Sequence, residues 1–219
     1  MIKRMGVFTL AEGKNPDEAW KQWIIHATDF KQASSGLKKY EISRFVKSAQ
    51  KGEQQPKWWG IFEQWFESEE AFIKGISKPH PKDDIWSTFV GEKFGDAFME
   101  EYVVYEEKYR VKPLKRLGIM EIREGVNSDE AWKYWKDVHA VNWKNTSPNL
   151  RKYVITRVIK ATPGNQLPKW WGLLEQRFDN EVDFERAMNT PRPNDEFLNY
   201  GNITGSFSGL AYVEEKVIV

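Results

Sequence analysis

The stretch Pro56-Lys57-Trp58-Trp59-Gly60-Ile61-Phe62-Glu63-Gln64-Trp65-Phe66 returns as Pro168-Lys169-Trp170-Trp171-Gly172-Leu173-Leu174-Glu175-Gln176-Arg177-Phe178. Eight of the eleven positions are identical at an offset of 112 residues. Outward from it, Asp17-Glu18-Ala19-Trp20-Lys21-Gln22-Trp23 returns as Asp129-Glu130-Ala131-Trp132-Lys133-Tyr134-Trp135 at the same offset. Glu106-Glu107-Lys108 and Glu214-Glu215-Lys216 form a weaker echo near the close of each copy. A period this long is that of a duplicated module rather than a solenoid repeat. The sequence is therefore read as two modules, residues 1–112 and 113–219, with the seam around Pro113.

Each module has the same order of signals. Short apolar runs at 2–10 and 116–123 read as first strands. Asn15-Pro16-Asp17-Glu18 is a helix start, with Asn as cap, Pro at the first helical position and Glu two beyond it. Asn127 and Glu130 repeat that spacing. Trp20, Trp23, Ala27 and Phe30 follow on one helical stripe, and Trp132, Trp135, His139 and Asn142 on its twin. Second strands alternate Tyr40, Ile42, Arg44 and Val46 against Glu41, Ser43, Phe45 and Lys47, with Tyr153, Ile155, Arg157 and Ile159 as counterparts. Third strands at 57–66 and 169–178 lead to helices starting at Ser68 and Asn180. An irregular insert precedes fourth strands at 100–110 and 208–218. The order βαββαβ is the ferredoxin-like arrangement, an α+β fold with helices on one face of an antiparallel sheet. The opposite faces are apolar too, so the two sheets are expected to bury them together in one intramolecular α/β barrel. The fused copy takes the place of a homodimeric partner.

Lys and Arg number 33 against 32 Asp and Glu. That balance argues against a nucleic-acid surface, which needs a basic excess. No long apolar run predicts a membrane span, the N-terminus lacks a signal-peptide pattern, and a cytoplasmic location is expected. The absence of cysteine removes disulfides, thiolate catalysis and thiolate metal ligation. Eleven Trp, 13 Phe and 8 Tyr supply either a generous core or an aromatic-lined cavity for an apolar ligand.

The motifs Trp135-x3-His139-Ala140, Leu150-Arg151-Lys152-Tyr153-Val154, Glu175-x2-Phe178-Asp179 and Val213-Glu214-Glu215, with Met1-Ile2-Lys3 opening the first strand, resemble the EthD family of dimeric α/β-barrel proteins. The first module departs from the pattern, His26 standing three residues after Trp23. The resemblance implies a barrel with a small-molecule cavity. It leaves the reaction open, because such barrels host cofactor-free oxygenases, cyclases, dehydratases, decarboxylases and haem enzymes.

Among ionisable groups, His139 lies on the Trp stripe of its helix, where it is either a packed structural histidine or a general base. Helical geometry makes Ala27 its counterpart and turns His26 about 100° away. His80 falls in the insert. Glu63 and Glu175 recur in the third strands, on a face read as shared with Trp59, Ile61 and Trp65 and with Trp171, Leu173 and Arg177. Either they pair with Arg44 and Arg157 across strands, or a raised pKa suits them to acid–base work. Tyr40 and Tyr153 are placed to donate to a substrate carbonyl, and Arg44 and Arg157 to stabilise an enolate. The pleat sends Trp58 and Trp170 to one layer and Trp59 and Trp171 to the other. No phosphate-binding loop and no metal-ligand spacing occurs.

The expectation is a cofactor-independent enzyme acting by proton transfer on an apolar cyclic or aromatic carbonyl compound inside an aromatic-lined barrel cavity. His139, Glu175 and Glu63 are its candidate catalytic groups. Tyr153, Arg157, Tyr40, Arg44, Trp59, Trp171 and His26 are its candidate binding groups. The alternatives are a non-catalytic ligand-binding or accessory protein serving an oxygenase, and a haem-binding barrel. A further homodimer is left open.

Overall fold

The computed structural model describes residues 1–49, 56–77, 83–109, 111–193 and 209–219. The first half of the chain forms β1 (Ile2–Leu10), α1 (Pro16–Ala33), β2 (Leu37–Ser48), β3 (Gly60–Phe66), α2 (Glu69–Ile76), α3 (Asp83–Phe89) and β4 (Val90–Glu106). The second half forms β5 (Leu114–Met120), α4 (Ser128–Tyr134), a π-helical turn (Trp135–His139), α5 (Ala140–Thr146), β6 (Leu150–Ala161), β7 (Gly172–Phe178), α6 (Glu181–Asn189) and β8 (Gly209–Val217). Both first helices start as the sequence requires. Asn15 Oδ1 accepts from the backbone N–H groups of Asp17 and Glu18 at 2.9 and 3.1 Å, and Asn127 from those of Asp129 and Glu130 at the same distances.

The eight strands close into one antiparallel barrel in the order β1-β3-β2-β8-β5-β7-β6-β4. Within each half the order is that of a ferredoxin-like sheet, and the two joins, β2 with β8 and β4 with β6, link the halves. Both joins carry a cross-strand ion pair in register. Arg44 opposes Glu214 and Arg157 opposes Glu100. Each arginine also reaches the first turn of its own half's helix, at Asp17 (2.7 Å) and Asp129 (2.5 Å). The expected pairing of these arginines with Glu63 and Glu175 is thus corrected: they rivet the seams from outside the barrel.

Side-chain alternation divides the core into three layers. Met5, Val7, Trp58, Ile61, Ala97, Met99, Leu117, Ile119, Trp170, Leu173, Ala211 and Val213 meet inside the barrel. Beneath α1 to α3, the outer face of the first half packs Phe8, Trp20, Trp23, Ala27, Phe30, Tyr40, Trp59 and Phe62. The outer face of the second half packs Trp132, Trp135, Ala140, Tyr153, Trp171 and Phe184. The Trp-Trp pairs split between layers as the pleat demands, but Trp59 and Trp171 do not share a face with Glu63 and Glu175. The strands begin only at Gly60 and Gly172, and the alternation breaks there. A Cβ on Gly60 would lie 2.3 Å from the Phe8 ring, so this glycine lets Phe8 cross over the strand.

The last strand of the first half also differs from expectation. The fourth strand starts at Val90 rather than near 100, and the insert before it contains α3. Ile85, Trp86 and Phe89 give α3 its apolar side, over too few residues for a helical period to stand out.

Candidate functional site

The half of the barrel interior where β1 and β5 begin is ionic. Lys115, 2% exposed, points its ammonium at Glu41 (3.4 Å), Glu63 (3.3 Å), Glu215 (3.3 Å) and Glu175 (3.8 Å). Lys3 holds Glu63 at 2.7 Å and Glu101 at 2.5 Å. Arg177 holds Glu175 at 2.6 Å and Glu215 at 2.7 Å, and Lys152 adds a contact to Glu175 at 3.5 Å. Burial alone would raise the Glu63 carboxyl, but Lys3 and Lys115 bring it down to about 2. For Glu175, burial is likewise outweighed by Lys115, Arg177 and Lys152, and its pKa is lowered. These glutamates are charged and fully engaged, the reverse of what a general base poised near neutrality requires. The carboxylates of Glu41, Glu63 and Glu175 converge closely enough to hold a metal ion. The Lys115 ammonium already supplies the positive charge at their centre.

The opposite half of the interior is filled by Trp58, Trp170, Ile61, Leu173 and the flanking Phe45 and Val158. A space of about 350 Å³ opens outside the barrel, between the first half's sheet and α1 and α3. That size falls in the range of small-molecule sites.

Its walls come from several elements. β1 contributes Arg4 and Phe8, α1 His26 and Phe30, β2 Tyr40, and β3 Phe62 and Gln64. Trp86 of α3 stands over His26 with ring centres 5.0 Å apart, and edge-on to Phe8 at 4.9 Å. Because α3 packs on α1, the flank of α1 carrying His26 is buried although it lies beside, not on, the sheet-facing stripe. Arg4 is a fixed cation. Its Nε donates to both Asp96 oxygens at 2.8 Å, its Nη1 donates to Gln64 Oε1 at 2.8 Å, and Phe62 lies 4.8 Å beneath it. Burial pushes the Tyr40 phenol up to about 12, against the pull of Arg4, the Trp23 indole and Gln64. Tyr40 is therefore a neutral hydroxyl donor near neutrality. Lys93, Gly95 and Asn165 form the rim, and Asn165 belongs to the second half of the chain.

The second half corrects the assignment of equivalents. Trp23 and Ala27 are four residues apart, while Trp135 and Ala140, their fully buried counterparts, are five apart. The π-helical turn Trp135–His139 absorbs the extra residue. His139 accordingly matches His26, and Ala140 matches Ala27. Arg116, Tyr153 and Gln176 likewise match Arg4, Tyr40 and Gln64, and Arg116 donates to Gln176 as Arg4 does to Gln64.

Of the residues singled out from sequence, the pocket gathers His26 and Tyr40. His139 and Tyr153 occupy the matching places of the second half. Glu63 and Glu175 lie in the ionic interior, and Arg44 and Arg157 at the seams. Trp59 and Trp171 pack under the helices, 5.6 Å from Trp23 and 5.5 Å from Trp135. His80 lies outside the described residues. Arg4, Gln64, Trp86, Asp96 and Asn165 went unnoticed. Recurrence of Arg4 and Gln64 as Arg116 and Gln176 at the offset of 112 was a usable signal, whereas Asp96 and Asn165 had none. A haem needs a broad flat slot beside its histidine. On His26 that space is taken by Trp86, itself 6.2 Å from Phe62 and 5.4 Å from Phe89, so the first half does not fit a porphyrin.

No family model matches the sequence, and no curated protein does. Solved structures match along nearly the whole chain. An anthrone oxidase-like protein aligns with a TM-score of 0.68 at 12% identity, covering 99% of this chain and 93% of that one. A Lactobacillus acidophilus protein provisionally named a monooxygenase aligns at 0.54 and 13% identity, covering 99% and 94%. Chlorite dismutase from Candidatus Nitrospira defluvii, in complex with imidazole, aligns at 0.54 and 9% identity, covering 97% and 90%. At these identities the likeness is one of fold. The chain has the dimeric α/β-barrel architecture, with both sheets supplied by one polypeptide. Among the described residues no helix is long and apolar enough to cross a membrane.

Proposed function

We propose that the first half's pocket binds an aryl ketone and moves a proton on the carbon next to its carbonyl. The same reading takes residues 1–112 and 113–219 as two modules of the EthD type, one carrying the site. The observation that supports it is one aromatic-walled space bringing together a histidine and a tyrosine hydroxyl kept protonated by burial. Phe8, Phe30, Phe62 and Trp86 favour a flat apolar ligand. The likeness to an anthrone oxidase-like protein supports a fused-ring ketone as the ligand class.

In this reading the His26 imidazole takes the proton from the α-carbon. The C–H electron pair forms the new C=C bond as the carbonyl π pair moves onto oxygen. The enolate oxygen accepts a hydrogen bond from Tyr40, with the Arg4 guanidinium behind it, fixed by Asp96 and Gln64. Return of the proton to the same or another carbon gives exchange or isomerisation without an external oxidant.

The test is deuterium exchange at the α-carbon of 1-tetralone, followed by NMR. The wild-type protein should accelerate exchange. His26→Ala should lose a factor of about 100 or more, the range for a positioned general base. Binding with no acceleration, or a rate that His26→Ala leaves intact, would replace this reading with that of a non-catalytic ligand carrier.

A further inference from the structure

We infer that Asn165, carried by the second half on the loop between β6 and β7, reads a hydroxyl on the ligand in the first half's pocket. The preferred ligand is then a hydroxylated aryl ketone rather than a bare one. This rests on the pocket reading above and adds a polar group at its rim.

The inference follows from a chain of hydrogen bonds. The Thr162 backbone N–H and its Oγ–H both donate to the carbonyl oxygen of Asp96, each at 3.2 Å. With its proton spent on Asp96, the Thr162 hydroxyl has only lone pairs left to offer. The Asn165 amide nitrogen donates to it at 3.0 Å. That contact fixes the orientation of the amide, placing its NH2 on Thr162 and leaving its oxygen to accept. Asn165 is also a lining residue of the pocket. An acceptor held at the rim selects a donor, and on an aryl ketone the natural donor is a ring hydroxyl.

The loop is anchored at the pocket rim. Gly95 has φ +105°, and a Cβ there would lie 2.6 Å from Pro168 Cβ, so the β6–β7 loop seats directly on β4 at this residue. The next residue, Asp96, holds Arg4 through its side chain and Thr162 through its carbonyl. The acceptor and the Arg4–Gln64 end of the pocket thus share one rigid connection. The second half supplies a specificity element to a site whose other lining groups belong to the first.

The experiment measures affinity for 1-tetralone, its 5-, 6- and 7-hydroxy derivatives and the matching methoxy compounds, by calorimetry. In the wild-type protein at least one hydroxy isomer should bind about three- to tenfold tighter than both its methoxy analogue and the parent, the gain of one neutral hydrogen bond. Asn165→Ala should erase that preference while leaving parent affinity within about twofold, as expected where no hydrogen bond to the parent is lost. Asn165 is exposed, so the variant should fold. If the parent binds but no hydroxy isomer is preferred, or the preference survives in Asn165→Ala, the inference falls and the pocket stands. If 1-tetralone does not bind the wild-type protein at all, the pocket reading falls and takes the inference with it.

Discussion

The two halves keep the same four chemistry-bearing residue types under their helices and surround them differently. The first half has Arg4, His26, Tyr40 and Gln64, and the second Arg116, His139, Tyr153 and Gln176. In the first, Asp96 draws Arg4 aside and Phe8, Phe30 and Trp86 frame an open space. In the second, Trp143 replaces Phe30 and receives Arg192 at 3.8 Å, while Arg116 lies 3.7 Å over Phe184. Whether such a set can bind anything is decided by its neighbours. Inside the barrel the difference is one of charge. Lys3 and Lys39 stand against Glu41, Glu63 and Glu101 in the first half, whereas Lys115, Lys152 and Arg177 stand against Glu175 and Glu215 in the second. An acidic excess faces a basic one, because Glu41 is matched by Val154 and Trp65 by Arg177. Neither half is suited to close a barrel with a copy of itself, since like charges buried together lack compensation.

The largest effect should come from breaking this complementarity. Lys115→Met removes the cation shared by four carboxylates from both halves and should cost about 3–5 kcal/mol, as for a buried pair losing one partner. Chemical denaturation measures it, and a loss below about 1 kcal/mol would mean that the remaining cations suffice. Acid should act through the same groups. Glu63 and Glu215 are brought down to about 2, and Glu175 is also lowered. Their folded pKa values lie below the unfolded ones, so their contribution is complete above the ordinary carboxyl range and is lost as pH falls towards 2. Stability measured from pH 6 down to pH 2.5 should therefore decline steeply below about pH 4.5. A flat profile would break the assignment of charged, paired glutamates.

The next effect separates the halves by chemistry. His26→Ala should lower α-carbon exchange about 100-fold, or about 2.7 kcal/mol of barrier, while His139→Ala should leave at least half the rate. The reverse result would move the site to the second half. Equal losses would mean that both halves work.

The barrel was legible because repetition multiplies weak signals: Trp58-Trp59-Gly60 and Asn15-Pro16-Asp17-Glu18, met twice in order, leave few alternatives. The site was less legible because its ingredients come from separate places. Asp96 lies on a strand extension, Trp86 on a seven-residue helix and Asn165 on a loop of the other half, and no local pattern joins them. Glu63 and Glu175 drew attention as ionisable groups among aromatics. Apart from Arg177, their cations lie on other strands, and Lys115 reaches Glu41 and Glu63 from the other half, which no reading within one module would find.

The smallest effect concerns the residue that hid the match between His26 and His139. Deleting a residue inside a helix ordinarily rotates everything beyond it by about 100° and moves an apolar face into solvent. Deletion of exposed Asp137 should instead convert the π turn into a regular α-helix. Trp135 and Ala140 would then take the spacing of Trp23 and Ala27, and β6 would keep its place. Stability should change by less than about 1 kcal/mol, against the several expected for misplacing buried Ala140 and its neighbours. Denaturation midpoints with unchanged slope would establish that the second helix carries one residue more than its fold needs. A loss of several kcal/mol would show that the turn is required where it stands, and that the halves differ in backbone as well as in side chains.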